Sequence, residues 1–159
     1  MAADGGVFAY GDAGFFGSAA TMALSAPVVG MAATSDGLGY WLVGSDGSIL
    51  PFGDAIPHGS LPSLHVTPAR PVVGMAATPD GGGWLVGADG GVYAFGDARF
   101  AGSMGGTALN RPVVGMADGA GYWPGRRRRR GLRLRRRSIP GFGRGTHLAA
   151  PVVGIDAGS

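Results

Sequence analysis

Apolar and polar positions alternate in short bursts along this chain. No burst keeps a 3.6-residue period long enough to predict a helix. Val28-Val29-Gly30-Met31-Ala32, Tyr40-Trp41-Leu42-Val43 and Val92-Tyr93-Ala94-Phe95 are β-branched and aromatic runs of strand length. Turn signals stand between them. Ser35-Asp36-Gly37 and Pro79-Asp80-Gly81 follow runs of the first kind; Asp46-Gly47, Asp89-Gly90 and Asp4-Gly5 belong to the second turn of the pattern. Asp-Gly is a strong hairpin signal, because the turn needs positive φ and glycine supplies it without steric cost. Gly53-Asp54 and Gly96-Asp97 end the third run in another turn. The pattern predicts three antiparallel strands per unit, with room for a short fourth, and regular hairpins over residues 1–123.

The units recur. Pro-Val-Val-Gly occurs at Pro27, Pro71, Pro112 and Pro151, at intervals of 44, 41 and 39 residues. Val28–Thr34 matches Val72–Thr78, Tyr40–Gly47 matches the stretch up to Gly90, and Phe52-Gly53-Asp54-Ala55 matches Phe95-Gly96-Asp97-Ala98. The N-terminus enters mid-unit, with Asp4-Gly5-Gly6-Val7-Phe8-Ala9-Tyr10-Gly11-Asp12-Ala13. This divides the chain into a partial unit (1–26), two whole units (27–70 and 71–111), an altered unit (112–150) and the start of another (151–159). A period of about 40 residues built from hairpins predicts an all-β fold of tandem antiparallel repeats, an incomplete β-propeller, with an open β-solenoid as the alternative. Blade packing wants one large residue at the same place in each unit. Trp41, Trp84 and Trp123 fit that place, with Phe52, Phe95 and Tyr10 at a second one. Propellers close with roughly 4 to 8 blades, and about three and a half units are present here.

Composition sharpens this picture in one region. The 159 residues include 33 Gly and no Lys, Glu, Gln or Cys; all 13 basic residues are Arg and all 10 acidic residues are Asp. Ten of the Arg lie between Arg126 and Arg144, a stretch without an acid, so the rest of the chain carries a balance of −7. The repeat explains the asymmetry. The pattern is lost after Trp123 and resumes at Thr146, and the foreign stretch Pro124–Gly145 has the same length, 22 residues, as its counterpart Leu85–Gly106. With a suitable codon choice, Pro124–Arg137 reread one base out of register becomes Leu-Val-Gly-Ala-Asp-Gly-Gly-Val-Phe-Ala-Phe-Gly-Asp, the repeat itself. A frame shift over 124–145 is therefore expected, with irregular structure there. A GTG valine codon read as a start would likewise explain Met1.

Repeats of the form Pro-Val-Val-Gly-Met-Ala-Ala-Thr, Asp-Gly-Gly, Phe-Gly-Asp-Ala, in that order, resemble the tandem repeats of secreted actinobacterial proteins. The resemblance covers residues 1–123 and 146–157. It implies propeller-like arrays on an exported or cell-surface protein, sometimes beside an enzymatic domain such as a cell-wall hydrolase. It carries no catalytic residue or ligand onto this chain. The Gly/Ala-rich, Arg-only composition suits a high-GC genome.

The candidate chemistry is sparse. The Asp of Asp-Gly (Asp4, Asp36, Asp46, Asp80, Asp89, Asp118) could ligate calcium, but a calcium loop needs several oxygens converging within a few residues, and turn chemistry explains these residues better. Asp12, Asp54 and Asp97 are expected as structural carboxylates tying neighbouring units through backbone N–H groups. Tyr40, Trp41, Trp84, Tyr122 and Trp123 could offer faces to sugar rings, although only one of two adjacent strand residues can line a given face and blade core is the favoured role. His58, His65 and His147 are too scattered for zinc. No Gly-x-Ser-x-Gly elbow and no P-loop lysine is present. No catalytic residue, metal or cofactor is therefore expected. The Arg126–Arg137 run would bind polyanions incidentally, by charge alone. No apolar run approaches the roughly 18 residues of a membrane helix, and Met1–Gly6 does not read as a signal peptide. The expected function is a non-catalytic scaffold or binding module from an exported protein, meeting a glycan or protein outside the cell. The alternatives are an accessory region of a secreted cell-wall or carbohydrate hydrolase, and nonspecific nucleic-acid binding through the arginines.

Overall fold

Val28–Ala33 (β1), Gly39–Gly44 (β2) and Ile49–Gly53 (β3) form an antiparallel sheet in that order. Val72–Ala77 (β4), Gly83–Gly87 (β5) and Val92–Phe95 (β6) form a second. Gly115–Ala117 (β7) and Trp123–Gly125 (β8) pair as a third, of two strands. The computed structural model describes residues 1–117 and 123–125. Among them the fold is all-β, the sheets are open, and helix is limited to a three-residue 3-10 turn at Pro62–Leu64. Neither three-stranded sheet has a fourth strand among the described residues.

The two larger sheets pair corresponding residues. Met31 faces Leu42 and Ala32 faces Trp41; Met75 faces Leu85 and Ala76 faces Trp84. Ala117 faces Trp123 in the third pair. The register slips between Val28 and Gly30, and again between Val72 and Gly74, so each Pro-Val-Val-Gly begins its strand with a bulge. The glycine after each bulge has a packing reason. A Cβ on Gly30 would lie 3.4 Å from the Gly74 Cα, and one on Gly74 would lie 3.5 Å from the Gly115 Cα. The first strands of successive units thus approach backbone to backbone, and anything larger than a methyl would push them apart.

Three small cores lie between successive units. Tyr40 and Leu42 face back towards residues 1–26, with Val28, Ala19 and the partly buried Phe16. Val43 meets Val72, Leu85, Phe95 and Leu61 between the first two sheets. Trp84, Val86, Val92 and Ala76 meet Val113 and the partly buried Met116 beyond the second. Each middle strand is therefore covered on both faces, and all of β2 and β5 is buried. Burial of each large side chain there contributes about 1.5–3 kcal/mol. Backbone bonds reinforce the same contacts. Ser45 donates to the Pro27 carbonyl and accepts from the Val72 N–H at 2.8 Å; Ala88 does the same with Pro71 and Val113.

Two expectations are corrected at the N-terminus. Residues 1–26 contain no strand, although Val7–Tyr10 alternates like β6. The chain holds no Tyr-Trp-Leu-Val run ahead of Asp4, so this segment lacks the neighbour that makes such a run a strand. Tyr10, expected to pack like Phe95, is 82 % exposed against 6 % for Phe95. At the other end, β8 carries strand backbone into Pro124 and Gly125. Tyr122, the remaining frame-shifted stretch with its Arg126–Arg137 run, and the further unit at 151–159 lie outside the described residues.

Candidate functional site

Each Asp-Gly turn is locked by its own carboxylate. The Oδ1 of Asp46 accepts the Ser48 N–H at 2.9 Å, that of Asp89 the Gly91 N–H at 2.9 Å, and that of Asp4 the Gly6 N–H at 2.8 Å. Gly47 and Gly90 take φ values of +82° and +79° at the tips of the two complete turns. The residue before each of these two Asp is the backbone tie to the next unit. That tie draws the next Pro-Val-Val-Gly against the turn, and a cleft opens beside it.

The cleft recurs. The first, of about 630 Å³, lies between Ser45-Asp46 and the linker His65–Pro71. The second, of about 460 Å³, lies between Ala88-Asp89 and the stretch from Thr107 to Pro112. Arg70 lines both, and it is exposed. The larger cleft therefore offers a guanidinium, the His65 imidazole, the Asp46 carboxylate, the Thr67 hydroxyl and several proline faces. Behind the second, burial pushes the Tyr93 hydroxyl above its ordinary pKa, and the nearby Asp89 charge adds to that.

The opposite ends of the hairpins carry the other aspartates. Thr34, Asp36, Asp54, Ile56, Pro79 and Asp80 line a smaller hollow of about 200 Å³. The Ser35 hydroxyl crosses it to the Pro79 carbonyl of the next unit at 2.9 Å. Asp36 is held below the ordinary carboxylate value of 3.8, first by the Thr34 hydroxyl and then by the Leu38 N–H. Asp54 is raised above it, first by desolvation and then by Asp36. Asp97 is lowered, first by the Thr78 hydroxyl at 2.6 Å, and also by the Gly82 N–H at 2.9 Å and by His58. His58 reaches across from the preceding unit. A Cβ on Gly96 would lie 3.1 Å from its ring, and its Nε2 is buried without a hydrogen-bond partner.

The expected site residues divide accordingly. Tyr40, Trp41 and Trp84 are 4, 2 and 7 % exposed, so they present no open face for a sugar ring. The indole N–H of Trp41 donates to the Ile56 carbonyl at 2.9 Å and that of Trp84 to the Arg99 carbonyl at 3.0 Å. The Tyr40 hydroxyl donates to the Gly17 carbonyl, and its ring packs between Phe16 and Phe52. Trp123 is placed on β8. Asp12 is exposed. Asp97 does not bridge neighbouring units through backbone N–H groups: its partners Thr78 and Gly82 belong to its own unit. The physical reason is that the Gly-Asp turn folds back over the first hairpin turn of the same sheet.

Arg70 is the cleft residue that pattern reading passed over. Its signal was present, since Arg-Pro precedes the Val-Val-Gly twice, at Arg70-Pro71 and Arg111-Pro112. Among the described residues no three His, Cys, Asp or Glu side chains are grouped so as to hold a metal ion, and no helix is long and apolar enough to cross a membrane. No protein-family model, no curated protein and no solved structure matches the chain.

Proposed function

We propose that the chain is a non-catalytic binding or scaffold module made of propeller-type β-repeats, part of an exported or cell-surface protein, and that its repeated clefts receive a polar partner such as a glycan or a protein loop. The observation that carries this reading is recurrence. A cleft of the same construction appears beside both complete Asp-Gly turns, between the turn of one unit and the linker of the next. A repeated backbone device that repeats its cleft suits multivalent recognition, in which weak sites add through effective concentration. Arg70 supplies the fixed charge, and a guanidinium favours carboxylate-bearing partners because its N–H groups match two oxygens at once.

The test is a glycan array that includes uronic-acid and sialylated oligosaccharides, probed with the intact chain. Arg70→Ala should lower binding to acidic glycans about tenfold, the loss of one charge-assisted contact. His65→Ala should weaken it less, because His65 lines only the larger cleft. Binding that survives Arg70→Ala unchanged would remove the clefts from the proposal.

A further inference from the structure

We infer that two copies of this chain complete each other's broken units head to tail, with Val7–Tyr10 of one copy adding as the third strand beside β8 of the other. The inference deepens the repeat-blade reading above and rests on it.

Residues 1–26 already hold most of a finished unit. The Ala2 N–H donates to the Gly6 carbonyl at 2.7 Å, as the Gly87 N–H donates to Gly91 at 2.8 Å. The Ala3 carbonyl accepts the Val28 N–H, as Ser45 accepts from Val72 and Ala88 from Val113. The Ser18 hydroxyl bonds the Gly5 carbonyl, as the Ser103 hydroxyl bonds that of Gly90. What differs lies between these points. Ala13 is exposed where Ala55 and Ala98 are 7 and 8 % exposed, and Tyr10 is exposed where Phe95 is buried. In the complete sheets the middle strand runs alongside these positions, with Phe52 opposite Tyr40 and Phe95 opposite Gly83. Val7–Tyr10 therefore has its turn, its tie and its backing, and lacks its neighbour. Met1, Phe8, Phe15 and Met22 add exposed apolar surface to the same segment.

The other end has the complementary half. β7 and β8 repeat the pairing of β4 with β5, and no third strand lies beside β8 among the described residues. An open strand edge is a template for another chain, and here the missing strand is a segment the same sequence carries unpaired. Closure within one copy would make a ring of three units, below the roughly 4 to 8 at which such rings form. Two copies would supply six. A contact between unlike patches closes a ring when its rotation permits.

Register makes the pairing testable. Val92 faces Val86 in the second sheet, which places Val7 opposite Gly125 of the second copy. The chain has no cysteine, so Val7→Cys and Gly125→Cys can be made as separate chains, mixed and oxidised. The expected result is a mixed disulfide in large excess over either symmetric one, and an unmodified chain that sediments at twice its 15.9 kDa mass. Mixed disulfides within assemblies larger than a dimer would uphold the shared sheet and overturn the six-unit ring, and with it the blade reading. A monomeric unmodified chain would overturn the inference, as would symmetric disulfides at the statistical ratio. So would an intramolecular disulfide in a chain carrying both substitutions.

Discussion

The two complete sheets are alike in everything except one turn. Both begin with a bulge, set tryptophan opposite alanine, send the indole N–H to a carbonyl 15 residues on, and lock the second turn with an aspartate. They part between the first two strands. Thr34-Ser35-Asp36-Gly37-Leu38 joins β1 to β2, whereas Thr78-Pro79-Asp80-Gly81 and then Gly82 joins β4 to β5, one residue shorter for the same closing bonds from Thr34 to Gly39 and from Thr78 to Gly82. In the longer turn the threonine hydroxyl bonds the turn's own Asp36. In the shorter one it bonds Asp97, from the end of the sheet. One residue of turn length thus decides which carboxylate the threonine serves. It also leaves Asp54 and Asp97, identical in sequence context, with pKa values displaced in opposite directions.

The largest effects should fall where the sheets agree. Trp41→Ala and Trp84→Ala each remove a buried indole and should each cost about 3–5 kcal/mol in urea unfolding. Trp41→Phe and Trp84→Phe keep most of the apolar bulk but leave the Ile56 or Arg99 carbonyl without its donor, a loss of about 1–3 kcal/mol. Costs that differed widely between the two positions would show that the units are alike in outline only. Gly39→Ala and Gly82→Ala come next, at about 1–3 kcal/mol as overpacking. In both, the new Cβ would sit 2.6 Å from a β3 or β6 carbonyl, that of Phe52 or Phe95. In Gly82→Ala it would also sit 2.2 Å from the Asp97 Oδ1, so this variant should in addition lose the acid sensitivity that Asp97 confers.

The sequence reveals the agreements far better than the difference. The Asp-Gly tips, the Val-Val-Gly starts and the constant tryptophan are local signals, each with a local physical cause. The failures share another origin. Val7–Tyr10 has strand alternation, but a strand exists through its neighbour, and alternation carries no information about whether that neighbour is present. Tyr40 and Trp41 point to opposite faces as alternation requires, yet both are buried, because the middle strand of a stacked sheet has no free face. Arg70 gains its place from the tie between units, which brings two distant turns to one side chain. Thr78 serving Asp97 depends on a turn one residue shorter, a difference that aligns as a gap and reads as noise.

The smallest effects isolate that gap. A carboxylate with lowered pKa stabilises the fold above its unfolded value near 3.8, and that stabilisation is lost as pH falls through the folded value. Asp97 should behave so, and Asp97→Asn should flatten the acid limb of the stability curve. Asp54 has the opposite sign. Its raised value means the fold binds the proton more tightly than the unfolded chain does, so its contribution grows as pH falls, and Asp54→Asn should steepen the same limb. Deleting Leu38 shortens the first turn to the length of the second. If turn length alone directs the threonine, the Thr34 hydroxyl should move from Asp36 to Asp54, and the Asp54 carboxyl should titrate below 3.8 instead of above it. Carbon-13 titration of that carboxyl, in the deleted and undeleted chains, reads the change directly. An Asp54 that stays raised after the deletion would assign the difference to Gly82 and its clearance for Asp97, rather than to the length of the turn.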